Sequence, residues 1–155
     1  MTAGQIATSA IAYLAEGHRW RKGIITTDIA GVPVSSESED RYYSSLGGAV
    51  VVACWQLLRM DDHRERSLTR TMWALNALCL FEHGQSLSIW EDAPERTFSD
   101  VAGLVQTLAE LDRKSLLAPL TLWLEQDNVS GKPPARVTKW LRSRRVDAQP
   151  AAMAA

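Results

Sequence analysis

SLSIWEDAPERTFSDVAGLVQTLAEL, residues 86–111, decides the fold class. In its second half Val101, Leu104, Val105, Leu108 and Leu111 recur at three- and four-residue steps, while Gln106 and Glu110 fall on the opposite side. That spacing predicts an amphipathic helix with one stripe against a core. Thr97 and Asp100 have the spacing of a capping box, with Asp where Glu or Gln is usual, and Pro94, Glu95 and Asp100 suit a helix start. In the first half, Leu87, Ile89 and Trp90 form a short apolar run, expected to be a buried extended segment that feeds the cap.

Working outward, the same three- and four-residue steps recur along most of the chain. Ile6, Ala10, Ile11 and Leu14 mark a first helix ended by Gly17. Leu46, Val50, Ala53, Leu57 and Leu58 mark a helix within Tyr42 to Met60. Leu68, Met72, Leu75, Leu78 and Cys79 mark another, capped by Asp61-Asp62 and stopped at Gly84. Gly47, Gly48 and Ala49 leave little bulk, so another backbone can approach there closely. Pro119 predicts a break within Leu116 to Leu124 and a further helix carrying Leu120 and Trp123. Between the first two helices, Ile24 to Thr27 and Val32 to Val34 flank Asp28 to Gly31, the pattern of a small hairpin, with Pro33 restricting its return strand to an edge. The expected fold is mainly α, a compact bundle of about five to six helices with a minor β-hairpin near residues 24–34.

The 155 residues are 46% hydrophobic, enough for one domain with a sizeable core. The formal charge of −1 is unevenly distributed. Lys132 to Asp147 holds six Lys or Arg against one Asp, a local +5, whereas the rest has eleven basic against seventeen acidic residues, −6. The expected organisation is therefore a helical core domain over 1–127, a linker over 128–134 marked by Gly131 and Pro133-Pro134, a basic helix over 135–146 and a disordered tail over 147–155. The N-terminus lacks the basic start of a signal peptide, and no run approaches the roughly 18 apolar residues of a membrane span. A cytoplasmic protein follows.

Few residues carry a chemical signature. Cys54 and Cys79 sit in apolar helical patterns and are expected as buried thiols. His18, His63 and His83 lack the HExxH spacing, no phosphate loop or GxSxG elbow occurs, and neither a metal, a cofactor nor a catalytic residue is expected. Trp90, Asp92, Glu95, Arg96 and Thr97 form a polar constellation able to hold a carboxylate or phosphate, yet a loop that turns the chain and caps a helix uses the same residues. Trp55, Trp73 and Trp123 are expected in the core. Trp20 and Trp140 are flanked by basic residues, so Trp20, Arg21 and Lys22, together with Arg136, Lys139, Trp140, Arg142 and Arg145, are candidate partner-binding residues. On the basic helix, Val137, Trp140 and Leu141 offer an apolar face to a protein partner, while its cations offer phosphate contacts to nucleic acid.

Taken in order, Trp20-x-x-Gly23, the turn at Asp28 to Gly31, Leu46-Gly-Gly-Ala49, and Trp90-x-Asp92 followed by Arg96-Thr97 resemble a family of small uncharacterised proteins found in phages, actinobacteria and mobile elements. The resemblance covers about Ile6 to Leu111. It differs from the family's pattern in carrying Ser44 or Ser45 where Cys is frequent before the small-residue segment, and Glu91 where Asn is frequent. The resemblance implies an architecture and a mobile-element origin, not a reaction. The functional expectation is a non-catalytic accessory protein that binds a protein partner, with a nucleic-acid-binding module as the alternative and an enzyme built around Trp90, Asp92 and Arg96 ranked last.

Overall fold

The computed structural model describes residues 1–58, 63–126 and 132–153, the last eight of these as backbone alone. The expected Asp61-Asp62 cap, linker residues 128–131 and the final residues 154–155 lie outside the described residues. Among the described residues there are seven α-helices and one small antiparallel sheet. The mainly α architecture is as expected.

Helix α1 (Ala3–Ala15) starts at Thr2, whose hydroxyl accepts from the Gln5 amide while the Gln5 side chain accepts from the Thr2 amide. This reciprocal box satisfies two amides that a helix start leaves without partners. A 3-10 turn over Glu16–His18 ends it, with Gly17 at φ 69°, a left-handed value that glycine adopts without strain. The chain then forms a long strap. Strand β1 (Thr26–Thr27) pairs antiparallel with β2 (Tyr43–Ser44), in the register Thr26 with Ser44 and Thr27 with Tyr43.

The expected turn is present. Asp28 Oδ1 accepts from the amides of Ala30 and Val32, each at 2.9 Å, which folds the chain tightly after β1. The return segment nevertheless gives only a single bridge, between Thr27 and Pro33, and the ladder partner is Tyr43–Ser44. Backbone bonds still close the hairpin: the Asp28 amide donates to the Val32 carbonyl at 2.9 Å and the Val34 amide to the Thr26 carbonyl at 3.2 Å, with Pro33 between them at a position that needs no donor.

Helix α2 (Leu46–Leu57) begins where Ser45 caps the Gly48 amide, four residues later than Tyr42, because Tyr43 and Ser44 are held in the sheet. It is followed by α3 (Arg64–His83), which Gly84 ends at φ 68°. Residues 87–92 correct the expectation of an extended segment: they are a short helix, α4 (Leu87–Asp92). Leu87, Trp90 and Glu91 share its buried side at three- and four-residue steps, whereas Ile89 is exposed. Helix α5 (Phe98–Arg113), α6 (Leu117–Glu125) and α7 (Ala135–Met153) complete the bundle, α7 covering the expected basic helix and continuing past residue 146. Pro119 lies in the first turn of α6, where its missing N–H leaves no helical bond unmade.

One core joins these elements. Ile6, Ala7, Ala10 and Leu14 of α1 meet the buried faces of α2 and α5, and the small side chains Ala49 and Ala53 let α1 and α2 approach closely. Gly4 is equally constrained, because its amide donates to Asp112 Oδ2 at 2.9 Å and a Cβ there would crowd that carboxylate. Trp123 is buried as expected, but Trp55 and Trp73 are not, at 36% and 42% exposure. The apolar runs of α2 and α3 are wider than the stripe the core can cover, and the rings fall on their outer margins. The Trp55 ring is covered instead by the Arg64 guanidinium, 3.6 Å from its centroid.

Gly48 shows why the Gly47-Gly48-Ala49 segment must stay small. A Cβ at Gly48 would overlap the Ile25 carbonyl oxygen and the Ser44 hydroxyl, so α2 packs directly on the strap's backbone. Gly48→Ala is expected to lower unfolding free energy by about 1 to 3 kcal/mol, the usual cost of overpacking. Gly103, in α5, has open space at its Cβ position. Gly103→Ala is therefore expected to raise stability by about 0.5 to 1 kcal/mol. Denaturant titration of the two variants checks both signs.

Candidate functional site

The best-formed site lies beneath α4, where Ser86 leaves the chain extended and α4 restarts it under α3. Asn76 of α3 fixes the start, its side-chain oxygen accepting from the Leu87 amide at 2.9 Å. Four residues on, the Glu91 carboxyl is carried into the interior, where it is only 4% exposed. Its Oε1 accepts from the indole N–H of Trp20 at 2.8 Å and from the Leu46 amide, the first of α2, at 2.7 Å. One oxygen atom therefore joins the strap, α2 and α4, and it does so where the positive end of the α2 dipole favours negative charge.

Burial pushes the Glu91 carboxyl above its ordinary value of 4.5, against the opposing pull of its hydrogen bonds from Leu46 and Trp20; Asp92 adds to the upward shift. Among the described residues no cation is paired with it.

Glu91 also lines a cleft of about 440 Å³ between α2, α3, α4 and α6. Met72, Trp73, Leu87 and Leu124 give it apolar walls, and Asn76 and Glu91 are among its polar groups. Glu91 is the cleft's one titratable lining residue among the described residues.

The polar constellation contributes no side chain to the lining of this cleft and does not converge on a shared point. Trp90 is buried and stacks on the His83 ring, centroids 5.0 Å apart, with the Arg96 guanidinium 4.1 Å from the indole centroid. Arg96 Nε donates to the Trp90 carbonyl at 2.8 Å, and Asp92 Oδ1 accepts from the Gly23 amide at 2.8 Å. Thr97 and Asp100 form the reciprocal cap of α5. Glu95 makes no hydrogen bond or ion pair among the described residues. Thus Asp92, Arg96 and Thr97 join segments, and their polar groups are already engaged.

The two basic-aromatic groups are placed differently. Trp20 is half-buried against Phe98 and bonded to Glu91; Lys22 Nζ donates to the carbonyls of Ala93 and Pro94 at 2.8 and 2.9 Å; Arg21 lies 4.1 Å from the Tyr43 ring centroid. On α7, Val137 and Leu141 are buried in the protein's own core, Trp140 is half-buried, and Arg144 bonds Thr107 and pairs with Glu110 at 3.1 Å. The apolar triplet expected to meet a partner is thus turned inward. Arg136, Lys139 and Arg142 remain exposed without an ion pair among the described residues, and Arg145 reaches Glu82 at 3.8 Å. Both cysteines are free and buried; burial pushes the Cys79 thiol up to about 12 and raises Cys54 as well.

The model of a family of unknown function, DUF6197, matches residues 1–111. The chain belongs to this family. No curated protein and no solved structure matches it. The DUF6197 match runs from α1 to near the end of α5 and includes Trp20, Leu46 and Glu91, so the three-way junction lies wholly within it. Helices α6 and α7 lie beyond it, and with them Leu124 of the cleft. Sequence analysis passed over Glu91 as a functional residue. Its signal was a carboxylate at a helical step from Leu87, legible only if residues 87–92 are taken as a helix.

Glu91→Ala is expected to leave the Trp20 and Leu46 donors without an acceptor, at about 1 to 3 kcal/mol each. Glu91→Gln keeps an acceptor oxygen and is expected to stay folded. Because the folded state holds the Glu91 proton more tightly than the unfolded chain, that residue's contribution to stability is full below the ordinary carboxyl value and is lost as pH rises through its higher native value. Unfolding curves across mildly acidic pH should therefore show Glu91→Gln gaining on the wild type as pH rises. Thr97→Ala should cost about 0.5 to 2 kcal/mol through loss of the α5 cap, measured in the same way.

Proposed function

We propose that this protein is a non-catalytic interaction protein that binds a protein partner at the Glu91 cleft. Trp73 carries this reading. Its ring is 42% exposed on the wall of a cleft whose other large apolar side chains are Met72, Leu87 and Leu124. Exposed aromatic anchors beside desolvated pockets are where binding energy concentrates in protein interfaces. A cleft of about 440 Å³ also has the size of a site for a small group or a side chain. Acid-base chemistry has little support there, because Glu91 is without a second titratable group on the lining and its Oε1 is already engaged.

An accessory role in a phage or other mobile element belongs to the same reading, supported by the order and spacing of the Trp20, Leu46 and Trp90 motifs. A cytoplasmic setting is supported by two free, buried cysteines. No described helix is long and apolar enough to cross a membrane.

Nucleic-acid binding is the second reading. It is favoured by Arg136, Lys139 and Arg142, which lie exposed along α7 while Val137 and Leu141 face inward. Cations placed in this way can neutralise phosphates, with affinity that falls steeply as salt rises.

Affinity capture from cells that carry the gene separates the two. The bait is wild type, Trp73→Ala or the Arg136→Glu, Lys139→Glu, Arg142→Glu triple variant, each with and without nuclease, and circular dichroism confirms that each is folded. A protein captured by the wild type, retained after nuclease and lost with Trp73→Ala is the expected result. Capture that nuclease abolishes and only the triple variant loses would favour nucleic acid.

A further inference from the structure

Buried carboxylates are ordinarily paired with a cation or with enough donors to satisfy both oxygens. Glu91 has neither arrangement. Oε1 takes both hydrogen bonds, while Oε2 makes none and is not among the sealed side-chain atoms that lack a partner. Oε2 therefore keeps some solvent access, on a residue that lines the cleft.

The cleft's lining complements one kind of group. Among the described residues no Lys, Arg or His lines it, so none of them competes for Oε2. The Asn76 side-chain oxygen is already occupied by the Leu87 amide. Met72, Leu87 and Leu124 offer apolar contact to an aliphatic stem, and Trp73 offers an aromatic face beside a cation. A guanidinium fork fits poorly, because bidentate pairing needs both carboxylate oxygens and Oε1 is engaged. An ammonium, a compact charge with three donors, needs only one.

The geometry points to the Glu91 cleft as a receptor for a primary ammonium on an aliphatic stem, presented by the lysine side chain of a protein partner. This assignment rests on the protein-partner reading above for the source of the ammonium and on the cleft alone for its chemistry. The two hydrogen bonds to Oε1 fix the carboxylate before the ligand arrives, so little ordering remains to be done on binding.

Two matched pairs of probes test it by calorimetry on the full chain. N-acetyl-lysine methylamide is compared with N-acetyl-norleucine methylamide, and phenethylammonium with 2-phenylethanol. Wild-type protein should prefer the lysine derivative to its neutral match by about tenfold or more, the margin of a hydrogen bond to a charged group. Glu91→Gln should reduce that preference to near unity, and Trp73→Ala should weaken both members of the pair, the ammonium member the more. Equal affinity within both pairs, or a preference that survives Glu91→Gln, would overturn the ammonium site. A preference shown only for phenethylammonium would overturn the lysine source. Should Glu91→Gln fail to fold, competition of the lysine derivative against increasing sodium chloride replaces it: salt-independent affinity overturns the site, and salt-weakened affinity with a retained neutral baseline supports it. Loss of captured protein with Trp73→Ala is a separate readout, so the ammonium chemistry and the partner reading can fail independently.

Discussion

The hydrogen bonds that converge on Glu91 Oε1 hold together parts of the chain that have little else in common. Trp20 belongs to the strap, Leu46 opens α2, and Glu91 itself sits on a helix of six residues. A helix so short has almost no intrinsic stability in water and depends on its packing and end contacts. Here the start is held by Asn76 and the end by the bond between Asp92 and Gly23, so α4 is fastened at both ends and bonded from its middle. The strap in turn has only two residues in each strand. Its position follows from Trp20, from Lys22 on the Ala93 and Pro94 carbonyls, and from the backbone contact at Gly48.

Periodicity made the long helices legible. The stripes of α1 and α5 point into the core as read, and the Thr97–Asp100 cap stands where the spacing predicted it. Side-chain volume made the Gly48 contact legible too, since only a backbone could use the space left there. Three features were hidden, each for a physical reason. The ladder partner of Thr26–Thr27, Tyr43–Ser44, lies beyond an acidic loop that gives no pairing signal. Residues 87–92 hold too few positions to separate a helical period from an apolar run. Trp55 and Trp73 belong to apolar stretches broader than the face the core covers, so composition alone put them inside.

The basic C-terminal helix shows how one pattern supports two structures. Its apolar residues were sufficient to dock on a partner, and Val137 and Leu141 are instead buried within the chain's own core. Arg144 separates the cases: it lies toward the apolar side of α7 and meets Thr107 and Glu110, two polar residues on α5 that leave a cation somewhere to go. The candidate site was legible only in part. Trp90, Asp92, Arg96 and Thr97 stand out in the sequence as a polar group, but their side chains fasten the chain. The carboxylate that faces the cleft is the neighbour between them.

The tie between Gly4 and Asp112 spans most of the chain, at a sequence separation of 108. Helix α1 is synthesised well before α5, yet much of its apolar face is completed by that helix. At a synthesis rate of about 5 to 20 residues per second, α1 exists for roughly 5 to 20 seconds before its partner emerges. During that interval α2 and α3 can cover it, so α1 with these two helices is the part of the fold able to assemble before α5 arrives, and the bond from Gly4 to Asp112 then closes a long loop.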